Sequence, residues 1–124
     1  INDTYGHLGG DECLKVVAKL LTSLFKRDID LISRYGGEEF LLILPMCNAL
    51  KVEAHLNEFK QQLAETVIIN PQDNRSFNVT ASIGAVIANA TYSDSLEHWL
   101  KQADNNLYLA KEQGRDRVVC SLIV

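Results

Sequence analysis

Two short apolar runs separated by a Gly-Gly-Glu-Glu segment constrain the fold more than any other feature of the chain. The runs cover residues 31–35 and 40–44, and the segment between them is Gly36-Gly37-Glu38-Glu39. Glycine accepts the positive φ that tight hairpin turns require. The pattern therefore predicts two antiparallel strands joined by a hairpin, with the acidic pair near its tip.

Three other segments carry apolar residues at three- and four-residue steps, which indicates amphipathic helices. The first is predicted over about residues 11–25, with Asp11 at its start. The second has a buried stripe of Val52, Leu56, Phe59 and Leu63. The third is predicted to begin near Asp94 and to end with Gly114 as its C-cap. Its apolar face consists of Leu96, Trp99, Leu100, Ala103, Leu107 and Ala110.

The remaining pattern indicates two further strands. Turn formers at residues 70–74 precede a strand predicted over residues 78–88, and a last strand is predicted over residues 117–124. This order of helices and strands predicts an α+β sandwich with a largely antiparallel sheet. One more strand ahead of Ile1 would give the β-α-β-β-α-β plan of ferredoxin-like folds, in which the first strand is central. We therefore expect the sequence to start after a central strand.

Length and composition limit the class of protein. With 124 residues, 47% apolar and 23% charged, the chain fits a single domain over residues 1–124. A net charge of −4 gives no basic field, so we expect no DNA binding and no direct membrane contact. The three cysteines have the spacing of neither a disulfide framework nor a zinc site. We expect a cytoplasmic domain, which could be the cytosolic part of a membrane-bound receptor.

The consecutive carboxylates of Glu38 and Glu39 allow two interpretations. Acidic side chains at a hairpin tip are most often simply solvated. Here, however, glycines allow close approach of a ligand and apolar strands hold the turn rigidly, which suits a metal site for phosphates.

Short motifs recur in order along the whole chain. They are Ile1-Asn2-Asp3-Thr4-Tyr5-Gly6-His7 with Gly10-Asp11, Arg34-Tyr35-Gly36-Gly37-Glu38-Glu39-Phe40, Ser82-Ile83-Gly84, and Ala103-Asp104 through Leu107-Tyr108, Ala110-Lys111 and Gly114-Arg115. Together they resemble the signature blocks of the GGDEF family of diguanylate cyclases, in the GGEEF variant. The resemblance implies a nucleotidyl cyclase palm-type fold. The family's first strand, with its metal-binding aspartate, would lie ahead of Ile1.

The resemblance implies that two GTP molecules are joined into cyclic di-GMP with release of two pyrophosphates. Glu38 would then bind Mg²⁺ or Mn²⁺, and Glu38 and Glu39 would be the catalytic residues. Gly36 and Gly37 would lie against the substrate.

Four further residues match the family's GTP-binding positions. Asn2 and Asp11 would read guanine, although a turn residue and a helix cap explain them equally well. Lys111 and Arg115 would bind the triphosphate, but cations at a helix C-terminus are also favourable without a ligand. Asp116 departs from the family's usual asparagine, which we expect to weaken triphosphate binding modestly.

Arg27 and Asp30 match the R-x-x-D site at which product cyclic di-GMP inhibits such enzymes. An Arg and an Asp three residues apart are also common on any surface. The position relative to Gly36 favours the inhibitory site.

The resemblance also implies partners. Each active site supplies half of a two-fold symmetric product, so we expect a C₂ homodimer, normally controlled by an upstream sensory domain. Without the first strand, the chain as given is expected to be inactive. Two alternatives stay open: an inactive GGDEF domain that binds cyclic di-GMP or GTP as a regulatory module, and a different cyclase or polymerase palm domain.

Overall fold

A computed structural model describes residues 2–88 and 95–123, with side chains described for residues 8–88 and 95–121. The described residues belong to two compact units, one within Ile1–Val79 and the other within Thr80–Val124. The predicted α+β class is confirmed. The described elements are α1 (Asn2–Leu24), β1 (Leu31–Gly36), β2 (Glu39–Ile43), α2 (Ala49–Glu65), β3 (Ile68–Ile69), β4 (Ser76–Phe77), β5 (Ile83–Ala88), α3 (Leu96–Glu112) and β6 (Val118–Ile123).

The first unit is built around the contact of α1 with α2 and β3. Three residues of the predicted stripe of α2, Leu56, Phe59 and Leu63, are buried, whereas Val52 is half-buried. Asn48 begins this helix, because its side-chain oxygen accepts hydrogen bonds from the backbone N–H groups of Leu50 and Lys51. Such a cap satisfies N–H groups that have no partner within the helix.

Helix α1 begins earlier than predicted, at Asn2 instead of near residue 11. Gly9 and Gly10 are buried and lie one turn before Cys13 and Leu14, so they continue the buried face of the helix. Glycine in a helix interior costs about 1 kcal/mol relative to alanine, and burial of this face outweighs that penalty. The prediction that Asp11 starts the helix is wrong, because this residue lies inside α1.

The strand predicted over residues 78–88 is shorter than expected. Strand β4 (Ser76–Phe77) pairs antiparallel with β3, and β5 begins only at Ile83. Asn78 instead donates from Nδ2 to the backbone carbonyls of Ala64 and Thr66, at 3.2 and 2.8 Å. These carbonyls lie at the C-terminal end of α2, where helical carbonyls lack partners. Asn78 therefore caps a helix.

The second unit is a β-α-β unit in which β5 and β6 pair in parallel, from Ile83 opposite Val118 to Ala88 opposite Ile123. Parallel neighbours need a crossover connection, and α3 supplies it. The helix lies directly on the strand, because a Cβ placed on Gly84 would clash with the backbone nitrogen of Leu107 and the carbonyl oxygen of Ala103. Glycine is therefore required there.

Helix α3 starts close to the predicted residue, and one prediction about its core is wrong. Its N-cap is Ser95, whose Oγ accepts a hydrogen bond from the His98 N–H, while the predicted start, Asp94, lies outside the described residues. The sequence pattern also predicts that Tyr108, at the edge of the apolar face, belongs to the core, but Tyr108 is 64% exposed. The buried polar residue is Asn106, which donates to the Ala85 carbonyl and so ties α3 to β5. Among the described helices, none combines the length and apolar composition needed to cross a membrane.

Candidate active site

The predicted hairpin is present, with an open tip. Gly36 pairs with Glu39, so Gly37 and Glu38 form a two-residue turn, and Gly37 has a φ of +52°. A Cβ placed on Gly36 or Gly37 would meet no atom within 4 Å. The backbone around Glu38 can therefore be approached closely by a ligand.

Arg34 holds this turn from within β1. Its Nε and Nη2 donate to the carbonyl oxygen of Gly37 at 3.0 and 2.7 Å. The strand register shifts between Arg34 and Gly36, which leaves Tyr35 without a Cα partner on β2. The extra residue and the arginine together fix the peptide that precedes Glu38.

The Glu38 carboxylate acts electrostatically on α1. Burial raises the pKa of the Cys13 thiol, and the negative charge of Glu38 raises it further. Asp11, two residues earlier in the same helix, is half-buried. Asn2 is the first residue of α1, and its side chain lies outside the described part of the chain.

Lys111 and Arg115 lie at the C-terminal end of α3, in the second unit, and both are exposed. The backbone N–H of Arg115 donates to the Ala110 carbonyl at 2.8 Å, and that of Gly114 donates to the Lys111 carbonyl at 3.4 Å. This pair of bonds is a Schellman motif. Gly114 has a φ of +118°, as expected of the residue that ends the helix.

Arg27 and Asp30 form a closed ion pair in the first unit. Arg27 donates from Nε and Nη2 to Oδ1 of Asp30 at 2.9 and 2.6 Å. Its Nη2 and Nη1 also donate to the carbonyls of Pro45 and Met46, at 2.7 and 3.1 Å. The Asp30 side chain is only 3% exposed, and the hydrogen bond from Arg27 holds its pKa below the usual value.

Comparison with known proteins identifies the family. The model for "Diguanylate cyclase, GGDEF domain" matches residues 1–117. This chain belongs to the GGDEF family.

Curated relatives of this GGDEF domain are much longer proteins. The chain is 39% identical over 121 residues to diguanylate cyclase A of Treponema denticola, covering 98% of this chain and 32% of that protein. It is 41% identical over 122 residues to the response regulator PleD of Caulobacter vibrioides, covering 96% and 26%. The GGDEF domain therefore spans a third or less of the length of these two relatives.

A solved structure has the same fold as this GGDEF domain. The GGDEF domain of DgcB from Caulobacter crescentus, in complex with c-di-GMP, matches with a TM-score of 0.86 and 31% identity. The match covers 96% of this chain and 68% of that one.

The predicted site residues of the GGDEF domain lie in both units. The hairpin, Asp11 and the Arg27–Asp30 pair belong to the first unit, and Lys111 and Arg115 belong to the second. Within the described residues, no group of three or more His, Cys, Asp or Glu side chains is arranged to hold a metal ion.

Two arginines, one in the hairpin motif and one just after the last motif, make contacts that were not predicted. Arg34 holds the hairpin turn, and Arg117 donates to the carbonyl of Arg115 at 3.0 Å. In both cases an arginine lies two or three residues from a turn that contains a left-handed glycine. That spacing is the signal in the sequence that would have indicated such contacts.

Proposed function

We propose that this GGDEF domain is the catalytic domain of a diguanylate cyclase, which joins two GTP molecules into cyclic di-GMP and releases two pyrophosphates. The observation that carries the proposal is the open hairpin tip that presents Glu38 and Glu39. The relative from Treponema denticola is named a diguanylate cyclase, which supports the same reaction.

The hairpin is proposed to provide the metal site. Carboxylate oxygens are the ligands that Mg²⁺ prefers, and Mg²⁺ commonly keeps waters and phosphate oxygens for its other positions. Glu38 follows the Gly37 peptide, whose carbonyl accepts hydrogen bonds from Arg34, and would bind Mg²⁺ or Mn²⁺. The open space at Gly36 and Gly37 would admit the phosphates. The ion would supply positive charge beside the phosphates.

The reaction is an in-line displacement. In each of two such steps the 3′-hydroxyl of one GTP forms a bond to the α-phosphorus of the other, the bond from that phosphorus to pyrophosphate breaks, and the hydroxyl proton is released. Catalysis of this kind rests on positioning and electrostatic stabilisation. We assign Glu38 and Glu39 as the catalytic carboxylates because the rigid turn holds both residues at the hairpin tip.

Asp11 and Asn2 are proposed to recognise guanine. A carboxylate accepts hydrogen bonds from the N1 and N2 donors of guanine, and adenine offers no such pair on that edge. Asp11 lies inside α1, so capping of the helix start no longer explains it.

Lys111 and Arg115 are proposed to bind the triphosphate. The guanidinium of Arg115 forms no hydrogen bond or ion pair within the part of the chain that the structure describes. An arginine fork can take phosphate oxygens bidentately, and an exposed guanidinium can do so without breaking another contact.

The Arg27–Asp30 pair is proposed as the site of product inhibition. Arginine has five N–H donors, and four of those of Arg27 are already used within the chain. A bidentate contact to cyclic di-GMP needs two donors, so at least one of these internal bonds must break. Binding at this site therefore requires rearrangement of the contacts to Asp30, Pro45 or Met46.

The active assembly is proposed to be a C₂ homodimer in the cytoplasm, controlled by an upstream sensory domain. Two domains must face each other because the product is two-fold symmetric. Residues 1–124 would contribute a single domain to this assembly.

The test is turnover of GTP with Mg²⁺ by the full-length protein, followed as cyclic di-GMP and pyrophosphate release. We expect Glu38→Ala to abolish product formation. Glu53→Ala, which removes an exposed carboxylate from α2, is the matched control and should leave the rate unchanged. Undiminished turnover in Glu38→Ala would contradict the proposal.

A regulatory module is the second candidate. It is favoured by the Arg27–Asp30 pair and by the related DgcB domain, whose structure contains c-di-GMP. A full-length protein that binds cyclic di-GMP and never turns over GTP would establish this function instead.

A further inference from the structure

The turn after α3 has an unusual backbone. Gly114, Arg115 and Asp116 have φ values of +118°, +62° and +45°. Left-handed backbone is unfavourable for residues with a Cβ, so two such residues in succession require contacts that hold them. The residue that carries the proposed phosphate contact, Arg115, is one of them.

Arg117 closes this turn from its C-terminal side. Its Nε donates to the carbonyl oxygen of Arg115 at 3.0 Å. Its guanidinium also lies against Gly114, because a Cβ on that glycine would come within 2.9 Å of Nη2. The backbone of Arg117 is fixed in turn, since its carbonyl accepts a hydrogen bond from Ile83 in β5 at 2.9 Å.

The backbone of Arg115 is therefore held on both sides. Its N–H donates to the Ala110 carbonyl, and its own carbonyl accepts from Arg117. The Arg115 guanidinium, in contrast, has no partner among the residues that the structure describes. The contacts of the turn therefore set the direction in which the Arg115 side chain extends from the backbone. They do not involve its guanidinium.

We infer that Arg117 is a positioning residue. It holds the turn that presents Arg115 to the GTP triphosphate, and it does not contact the nucleotide itself. This inference rests on the proposed role of Arg115. The Nε of Arg117 donates to the Arg115 carbonyl and its Nη2 lies beside Gly114, which places this guanidinium against the turn.

A double-mutant cycle on the full-length protein tests the inference, with GTP and Mg²⁺ as the probe. We expect Arg115→Ala to raise KM roughly tenfold or more, as for loss of a charge-assisted hydrogen bond. Arg117→Ala should raise KM by a smaller factor and leave kcat within about twofold. If Arg117 acts only through Arg115, the double variant has the same KM as Arg115→Ala. Factors that multiply in the double variant would overturn the inference, because Arg117 would then contribute directly.

Hydrogen exchange gives a readout that needs no nucleotide. The Arg115 amide, bonded to the Ala110 carbonyl, should exchange faster in Arg117→Ala than in the wild type. Arg117→Lys keeps a donor on a flexible stem and should restore part of the protection, whereas Arg117→Met should not. Unchanged exchange in Arg117→Ala would overturn the inference even if GTP binding were altered.

Two further variants separate the inference from the proposed function. Arg75→Ala removes another exposed arginine, ion-paired with Asp73, and should leave KM unchanged. Unchanged KM in Arg115→Ala would overturn the triphosphate role of Arg115 and the inference with it. A raised KM in Arg115→Ala, with wild-type exchange and KM in Arg117→Ala, would overturn the inference alone.

Discussion

Arg27 and Arg115 are both proposed to bind nucleotide, yet the structure holds them in opposite ways. Four of the five N–H donors of Arg27 are bonded to Asp30, Pro45 and Met46. The Arg115 guanidinium has no such bond within the described residues. In the Arg27 region the side chain holds the backbone through its hydrogen bonds. In the Arg115 region other contacts hold the backbone, and the side chain extends from it without such bonds.

The difference assigns different roles to two chemically identical groups. A guanidinium that is bonded to its own chain contributes to folding and must exchange partners before it binds a ligand. A guanidinium held open contributes little to folding and can bind a phosphate directly. Substitutions in the two regions should therefore separate stability from ligand binding.

The largest expected effect on stability comes from Gly114→Ala. The substitution places a Cβ at a φ of +118° and within 2.9 Å of Arg117, so we expect unfolding to be easier by about 1–2 kcal/mol. Urea denaturation measures the change. Gly36→Ala is the control, because its Cβ meets no atom within 4 Å and its φ is not left-handed. Equal effects of the two substitutions would show that the Arg115 turn is not held by its backbone.

Sequence patterns predicted the hairpin because both of its determinants are local. Two apolar runs flank a glycine pair, and the turn falls at Gly37 and Glu38. The start of α1 was not predictable in the same way, because Gly9 and Gly10 break a periodic apolar pattern and become helical only through burial. The strand limit near Asn78 depends on a contact with the end of α2, more than ten residues away.

The site was predictable as far as family motifs and spacing reach. The family motif indicated Arg27 and Asp30 as a site, and the structure joins their side chains in an ion pair. The contacts of Arg27 with Pro45 and Met46 span 18 and 19 residues, so no local pattern indicates them. The role of Arg117 depends on left-handed backbone at Arg115, a property that sequence patterns do not assign to arginine.

Arg27→Ala and Arg115→Ala form the matched pair that tests the comparison most directly. Both remove one guanidinium from an exposed residue. Arg27→Ala leaves the Asp30 carboxylate, 3% exposed, without its main donors, so we expect the melting temperature to fall by several degrees. Arg115→Ala should leave it unchanged. Calorimetry of both variants measures this, and a fall in Arg115→Ala alone would reverse the assignment.

The smallest effect concerns pH. The Asp30 carboxyl has a native pKa below its ordinary value of 3.8, chiefly because Arg27 donates a hydrogen bond to it. As the pH falls below 3.8, the unfolded chain takes up a proton at this group before the native protein does, which favours unfolding. The stabilisation from Asp30 is therefore complete above that pH and is lost as the pH falls through the native pKa.

The melting temperatures of wild type and Asp30→Asn should therefore differ most at neutral pH and converge below pH 3.8. Asp73→Asn is the control, because the pKa of Asp73 is also lowered, first by the backbone N–H of Arg75, but its side chain is 41% exposed. Solvent screens that pair, so a smaller convergence is expected. An equal convergence in both variants would show that the Arg27–Asp30 pair behaves as an ordinary surface ion pair, and Arg27 would then differ from Arg115 only in geometry.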